Sequence, residues 1–452
     1  LTLTALDYGA ICGAGMTPEN GHFDVIVLGA GVSGLTAAHD LRLQGLNVLI
    51  LENYPTAGGN HLSKNFAGLT FDAGAIFFWS DSSFLKMFPG VVELWEPVSF
   101  SAQRIAPNGG VRSYPIDIKN EVLYRSIGYQ IRICASIIYQ RLYCDSKKSA
   151  VDFAMHYLGS RLLIDTGLLF YMERFYGLPA DAISFDFATE RMRWIRDNGS
   201  VRNFLKKEIK ACLQALHISA APAPIRCYAR PRVGFDKMYR YITQQLGENG
   251  VQTVLDADLR SIRRRDHIFS ISTAKGEFTS ERVINTMPLG IVIKLFGDNE
   301  LTSPRSSILS TLCIRFCGKR GFSALVLYNF RKEGLWKRLT MHSDYYGKAS
   351  DSEFLSVECT SLDVVQEAAF LFADFKKTTA DVGLFNGELE LVGHFDTYFA
   401  YPVHDDGAAR KRCESLEKLS AFGIESIGRQ GRFQYIPSAS EAVDLARTAL
   451  RG

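Results

Sequence analysis

An apolar run that ends in a glycine-spaced turn constrains this chain more than anything else in it. Phe23-Asp24-Val25-Ile26-Val27-Leu28 reads as a buried strand, and Gly29-Ala30-Gly31-Val32-Ser33-Gly34 comes at once after it. A helical segment is next. A second apolar strand, Val48-Leu49-Ile50-Leu51, then ends at Glu52. That order is a βαβ dinucleotide-binding unit, the start of a Rossmann-like α/β fold with a mostly parallel sheet. Gly29 permits the tight turn, Gly31 lets the backbone approach a pyrophosphate, and Gly34 lets the helix pack close to the strand. The first helical turn, with Val32 and Ser33, presents unpaired N–H groups and a positive dipole end to the phosphates. Glu52 stands eighteen residues beyond Gly34, with Asn53 beside it. A carboxylate there accepts bonds from both ribose hydroxyls.

The residues after Glu52 separate FAD from NAD. Gly58-Gly59-Asn60 supplies a second glycine pair, and Phe71-Asp72-Ala73-Gly74-Ala75 comes after it. A plain NAD domain has no need of that pair. A flavin cofactor extends further and requires close backbone approach again. An ordinary surface turn is the plain alternative for Gly58-Gly59.

The chain has 452 residues, 47% of them hydrophobic and 22% charged, enough for two or three domains with cores of their own. A net charge of +3 argues against a nucleic-acid partner. Nine cysteines are scattered without CxxC pairs, and Cys313 with Cys317 makes no zinc site, so no metal is expected. Reduced thiols suit a cytoplasmic chain. No apolar run is long enough to span a membrane, since Arg125, Arg132 and Arg141 interrupt the stretch from Glu121 to Tyr143. Residues 1–15 carry Asp7 and no basic start, and read as an upstream extension rather than a secretory signal.

Alternating patterns imply discontinuous domains. Residues 22–115, 226–290 and 391–452 are expected to build the FAD-binding domain. Residues 116–225 are expected to form a helical insertion, and 291–390 a substrate domain with an antiparallel sheet. Within the insertion, Leu123, Ile127, Ile131, Cys134, Ile138 and Leu142 recur at helical spacing and predict a core-facing helix. Ser149 predicts the cap of a second helix, and Asn203–Leu216 a further one, with a linker after it at Ala221-Pro222-Ala223-Pro224.

The run from Val25 to Gly74 resembles the N-terminal signature of the flavin-containing amine oxidoreductase superfamily. That group includes monoamine oxidases, protoporphyrinogen oxidase and UDP-galactopyranose mutase. Further stretches share the likeness: Tyr114-Pro115-Ile116, Met172 to Leu178, Ala188 to Arg193, Tyr401-Pro402-Val403 and Gly428 to Tyr435. The resemblance implies FAD contacts at Gly29, Gly31, Val32, Ser33, Gly34, Glu52, Asn53, Gly58, Gly59, Asn60, Gly74, Leu259, Gly428 and Arg429. It implies substrate contacts at Arg191, Arg338, Arg429 and Tyr435. Arginine suits a diphosphate, because its planar fork bonds two oxygens at once. For each arginine a structural ion pair is the plain alternative.

One departure stands out. Ile76 occupies the position where the mutases carry a histidine beside the flavin, and Pro437 replaces an acidic residue of the mutase ending. His61 is near in sequence, on an unknown side of its loop. Ile76, Phe77, Phe78 and Trp79 either wall an apolar pocket near the flavin or belong to the core.

The leading expectation is an FAD-dependent oxidoreductase in which a small organic substrate gives a hydride to the flavin, whose own N5 is the reacting atom. The alternative is a mutase-like isomerase acting on a nucleotide sugar with reduced FAD. The third is a flavin-binding protein without catalysis. Oligomeric state is left open.

Overall fold

The computed structural model describes residues 20–117, 119–192, 195, 225–297 and 303–451. Strand Asn20–Leu28 lies between Val48–Leu51 and Gly276–Asn285, parallel to both. Gln252–Val254 adds beyond Val48–Leu51, and Ile424–Ser426 pairs with the end of Gly276–Asn285, again parallel. An antiparallel meander of Leu259–Arg265 and Ile268–Thr273 completes a seven-stranded sheet.

The central strands have both faces covered. Val25, Val27, Val48 and Ile50 pack under helices Val32–Leu43, Phe235–Glu248 and Ala439–Arg451. Ile26, Leu28, Leu49 and Leu51 pack on the opposite side with helices Leu289–Leu295 and Ala408–Phe422. All eight side chains are fully buried. Two covered faces explain why these strands read as unbroken apolar runs rather than alternations.

A second seven-stranded sheet runs Phe385–Pro402, Ser306–Arg320, Glu353–Ser361, Trp336–Met341, Val326–Asn329, Ala102–Ile105, Val111–Ser113. Only Val326–Asn329 with Ala102–Ile105 is parallel. Leu312, Ile314, Phe316 and Val357 bury one face against Leu371 and Phe375 of helix Ala368–Ala380. Cys313, Tyr328 and Phe354 on the other face meet the helical layer. The expected boundaries need correction here. The division at 390/391 falls inside the single strand Phe385–Pro402. Residues 102–113, expected with the first domain, extend the second sheet instead.

The helical layer contains Ile127–Tyr143, Ala150–Asp165, Leu168–Tyr176 and Phe185–Arg191. Ser149 Oγ accepts from the Asp152 N–H at 3.2 Å, the expected N-cap, and Val151, Ala154, Leu158 and Leu162 are buried. Helix Ile127–Tyr143 departs from expectation. Its predicted core stripe faces outward, with Leu123, Ile127, Ile131, Cys134, Ile138 and Leu142 all exposed. The side packed on Ala150–Asp165 is instead built from Ile133, Ile137 and Gln140. Residues 1–15, Asn203–Leu216, Ala221–Pro224 and the side chain of Arg191 lie outside the described residues. Among the described residues no helix is long and apolar enough to cross a membrane.

Candidate functional site

The strand Asn20–Leu28 ends at Gly29, whose φ of 100° disfavours any residue with a Cβ. A Cβ there would come within 2.6 Å of Thr286 Oγ1, and one on Gly34 would strike the Gly29 carbonyl. Helix Val32–Leu43 therefore begins hard against the strand end. Beside it, Glu52 is 7% exposed. One carboxylate oxygen accepts from the Ala30 N–H at 2.7 Å, the other from the Tyr54 N–H at 2.8 Å. Burial raises the pKa of Glu52, and the N–H groups of Tyr54, Ala30 and Asn53 oppose that rise. Each oxygen keeps acceptor capacity for a hydroxyl.

The second glycine pair stands over the first. Gly58 N–H donates to the Ala30 carbonyl at 2.8 Å, and a Cβ on Gly59 would lie 3.3 Å from the Gly31 Cα. Gly428 arrives from the far end of the chain with φ 75°, and a Cβ on it would collide with Ser33. Glycines from three segments thus line one strip of bare backbone next to a buried acid. That cradle, and an acceptor pair at its end, fit the pyrophosphate and ribose of a dinucleotide such as FAD. The same glycines also serve the packing, so their presence has a structural explanation too.

Asn60 ties this half to the second sheet. Its Nδ2 donates to the Phe399 carbonyl at 3.0 Å, which also accepts from Gln430 Nε2 at 2.6 Å. Gly74 has φ 130°, and a Cβ there would lie 3.5 Å from Arg338 Nη2 and 3.6 Å from Glu358 Oε1. The Ala75 N–H donates to Glu358 at 3.2 Å. Arg338 grips the same carboxylate with two bonds, at 2.5 and 2.8 Å. Lys337, 1% exposed, places its Nζ 3.4 Å from Glu358 and 4.1 Å from the centre of the Tyr401 ring. Consecutive strand residues normally point to opposite faces. A register shift between Trp336 and Arg338 lets both cations reach Glu358.

Arg429 lies over Tyr401 at 5.0 Å and Tyr435 at 5.9 Å and donates to the Ala400 carbonyl. Arg429 Nε and Lys337 Nζ are buried without a hydrogen-bond partner. Burial pushes Glu358 up, but Arg338 and Lys337 outweigh it and hold the carboxyl below its ordinary value. Burial also pushes Tyr401 up; Lys337, Arg338 and Arg429 overcome this and the Glu358 charge, leaving the phenol below its ordinary value.

Several expected residues converge here: Arg338, Arg429 and Tyr435 meet around Tyr401, with Gly74 alongside. Others do not. Leu259 gives its N–H to Asn53 Oδ1 at 2.9 Å and its side chain to the core, so neither is left for a cofactor. Phe78 is core, stacked on Trp95 at 4.4 Å. Phe77 and Trp79 both pack edge-on against Phe100, and Trp79 is 39% exposed. Ile76 is half-buried against the first-sheet core. His61 stacks on Phe235 and bonds the Tyr239 hydroxyl at 2.5 Å. Burial and the Arg429 charge push it down to about 4, so it is neutral. Sequence reasoning missed Lys337, Glu358 and Tyr401 as site residues. Adjacent charges inside a strand, Lys337-Arg338, are the signal for the first, and the Tyr401-Pro402-Val403 stretch is the signal for the third.

The NAD(P)-binding Rossmann-like domain model matches residues 27–88. A chloroplastic prolycopene isomerase from an Oncidium hybrid is 38% identical over 87 residues, 19% of this chain and 15% of the relative. Mitochondrial protoporphyrinogen oxidase of Nicotiana tabacum is 41% identical over 101 residues, 21% of this chain and 20% of the relative. The sequence likeness thus spans a fifth or less of these relatives' length. Fold likeness runs through the chain. Reduced UDP-galactopyranose mutase superposes with a TM-score of 0.73 at 17% identity, over 94% of this chain and 92% of that one. A putrescine oxidase variant gives 0.58 at 14% identity, over 96% and 99%. The sequence likeness over about a fifth of the chain and the fold likeness over nearly the whole of it both run to flavin-containing proteins of the amine oxidoreductase kind.

Proposed function

We propose that the chain is an FAD-dependent oxidoreductase that takes a hydride from a small organic substrate. One observation carries this reading: bare backbone from three segments, at Gly29 to Gly34, Gly58-Gly59 and Gly428, meets beside the buried Glu52 carboxylate. FAD, when bound, would supply the redox chemistry as hydride acceptor. Glu52 would hold the ribose, and the backbone at Gly31, Gly59 and Gly428 the pyrophosphate. Tyr401, Tyr435 and Phe175 form an aromatic group that would orient the substrate and exclude water. Lys337 and Arg429, as cations beside Tyr401, would favour its ionised form, the form able to take the proton that leaves with the hydride.

The isomerase reading on a nucleotide sugar needs arginines free for a diphosphate. Arg338 commits its Nε and Nη2 to the Glu358 carboxylate, which counts against it. The unpaired Arg429 Nε favours it, since a buried guanidinium donor suits an anionic group.

Anaerobic mixing of the FAD-loaded protein with panels of amines and of apolar oxidisable compounds tests the proposal. Flavin bleaching by at least one class supports oxidoreduction. Turnover of a nucleotide sugar by the reduced protein, with no bleaching by any class, would replace it with the isomerase reading.

A further inference from the structure

Helix Ile127–Tyr143 turns an apolar face away from the protein. Ile127 is 75% exposed, Ile131 62% and Leu142 69%, with Ile138 and Tyr139 also exposed between them. At 3.6 residues per turn these five fall within an arc of about 120°. Tyr124 and Tyr143 stand exposed near its two ends. Arg132 lies at one border of the arc and Arg141 at the other, both exposed, and Arg125 precedes the helix. Lys147 and Lys148 come after it, also exposed. No Asp or Glu occurs between Val122 and Cys144. Of the acids close by, Glu121 is buried against Arg104 and Asp165 bonds Tyr129 and Arg161, while exposed Asp145, beyond the helix end, accepts from the Lys147 N–H at 2.9 Å and is flanked by Lys147 and Lys148.

We propose that this face docks on the surface of an anionic lipid bilayer, with the helix lying in the plane of the interface. The apolar arc would enter the acyl boundary, the tyrosines would sit at headgroup depth, and the border arginines would reach lipid phosphates. At 17 residues the helix is too short and too interrupted by charge to cross. Charge decides against a second copy of this chain as the occupant. Two such helices would bring Arg125, Arg132 and Arg141 together with no Asp or Glu in either Val122–Cys144 segment to compensate. A phosphate-bearing surface supplies that missing anion.

Flotation of the full chain with vesicles tests this, using phosphatidylcholine alone and phosphatidylcholine mixed with phosphatidylglycerol. The chain should float with the mixed vesicles and stay behind with the neutral ones. Arg132→Gln should weaken partition about fivefold. Ile131→Asn and Leu142→Asn should each weaken it about tenfold or more. Both positions are exposed, so the thermal midpoint in lipid-free buffer should stay unchanged, which separates lost docking from lost folding. No flotation with mixed vesicles overturns the proposal, and so does equal flotation with neutral ones. A dimer in lipid-free buffer that Ile131→Asn dissolves would assign the face to a second copy instead.

Discussion

Glu52→Gln is the most discriminating change to the cradle. Glutamine keeps the shape of the side chain but exchanges one acceptor oxygen for an NH2 group. Both Glu52 oxygens accept from backbone N–H groups, at 2.7 Å from Ala30 and 2.8 Å from Tyr54. Whichever way the amide turns, an NH2 faces an N–H. A buried donor left without an acceptor costs about 1–3 kcal/mol, which should appear as lost stability of the cofactor-free chain in urea. One ribose hydroxyl also loses a charged acceptor, worth about 1.5–3 kcal/mol. That is about one to two decades in FAD affinity, read by quenching of flavin fluorescence on titration of the cofactor-free chain. The parent carries a pH signature as well. Burial raises the Glu52 pKa, so on acidification the carboxyl protonates above its ordinary 4.5 and FAD affinity falls there. For the cofactor-free chain the sign is opposite: this group's contribution to stability is present at low pH and lost as pH rises through the raised pKa. The Gln variant should show neither dependence. A folded Gln variant that binds FAD as tightly as the parent would refute the assignment of Glu52 to the ribose.

Gly428→Val should abolish FAD retention, because the new side chain collides with Ser33 at a φ of 75°; cofactor content after gel filtration reads this out, and retained flavin would contradict it. Arg230 is fully buried and bonds Asp72 at 2.6 Å as well as the carbonyls of Thr70, Pro231 and Arg232. Arg230→Met strands the Asp72 carboxylate and should cost about 3–5 kcal/mol in urea unfolding; a loss of under about 1 kcal/mol would show that pair to be dispensable. Burial pushes His342 and His404 down to about 4 from 6.5. The unfolded chain takes up protons below pH 6.5 that the folded chain refuses until about 4, so stability is full above 6.5 and drains across that window. Each contributes up to about 3 kcal/mol. A thermal midpoint that stays flat from neutral pH to about 4 would contradict the burial of both.

Val25 to Leu28 and the glycine turn were legible in the sequence because strand, turn and helix are consecutive, and each residue type has a local task. The Ser149 cap was legible for the same reason. Helix Ile127–Tyr143 was legible as a helix but not in its orientation. An apolar stripe at helical spacing says that a face avoids water, not whether protein or another apolar medium covers it. The boundary near residue 115 failed because Ala102–Ile105 is recruited by Val326–Asn329, more than two hundred residues away. Gly428 was expected beside the cofactor only through resemblance to known sequences, and its close approach to Ser33 was not read at all, since nothing local in Gly428-Arg429 announces a partner near the other end of the chain. The Lys337, Arg338 and Glu358 cluster depends on one shifted register, and strand alternation would have sent the two cations to opposite faces.

The most direct test of the central claim is titration of the cofactor-free chain with FAD and, in parallel, with NAD. Saturable binding of one FAD per chain, with weak or no binding of NAD, is the predicted result. Tight binding of NAD in preference to FAD, or no binding of either by the folded chain, would contradict it.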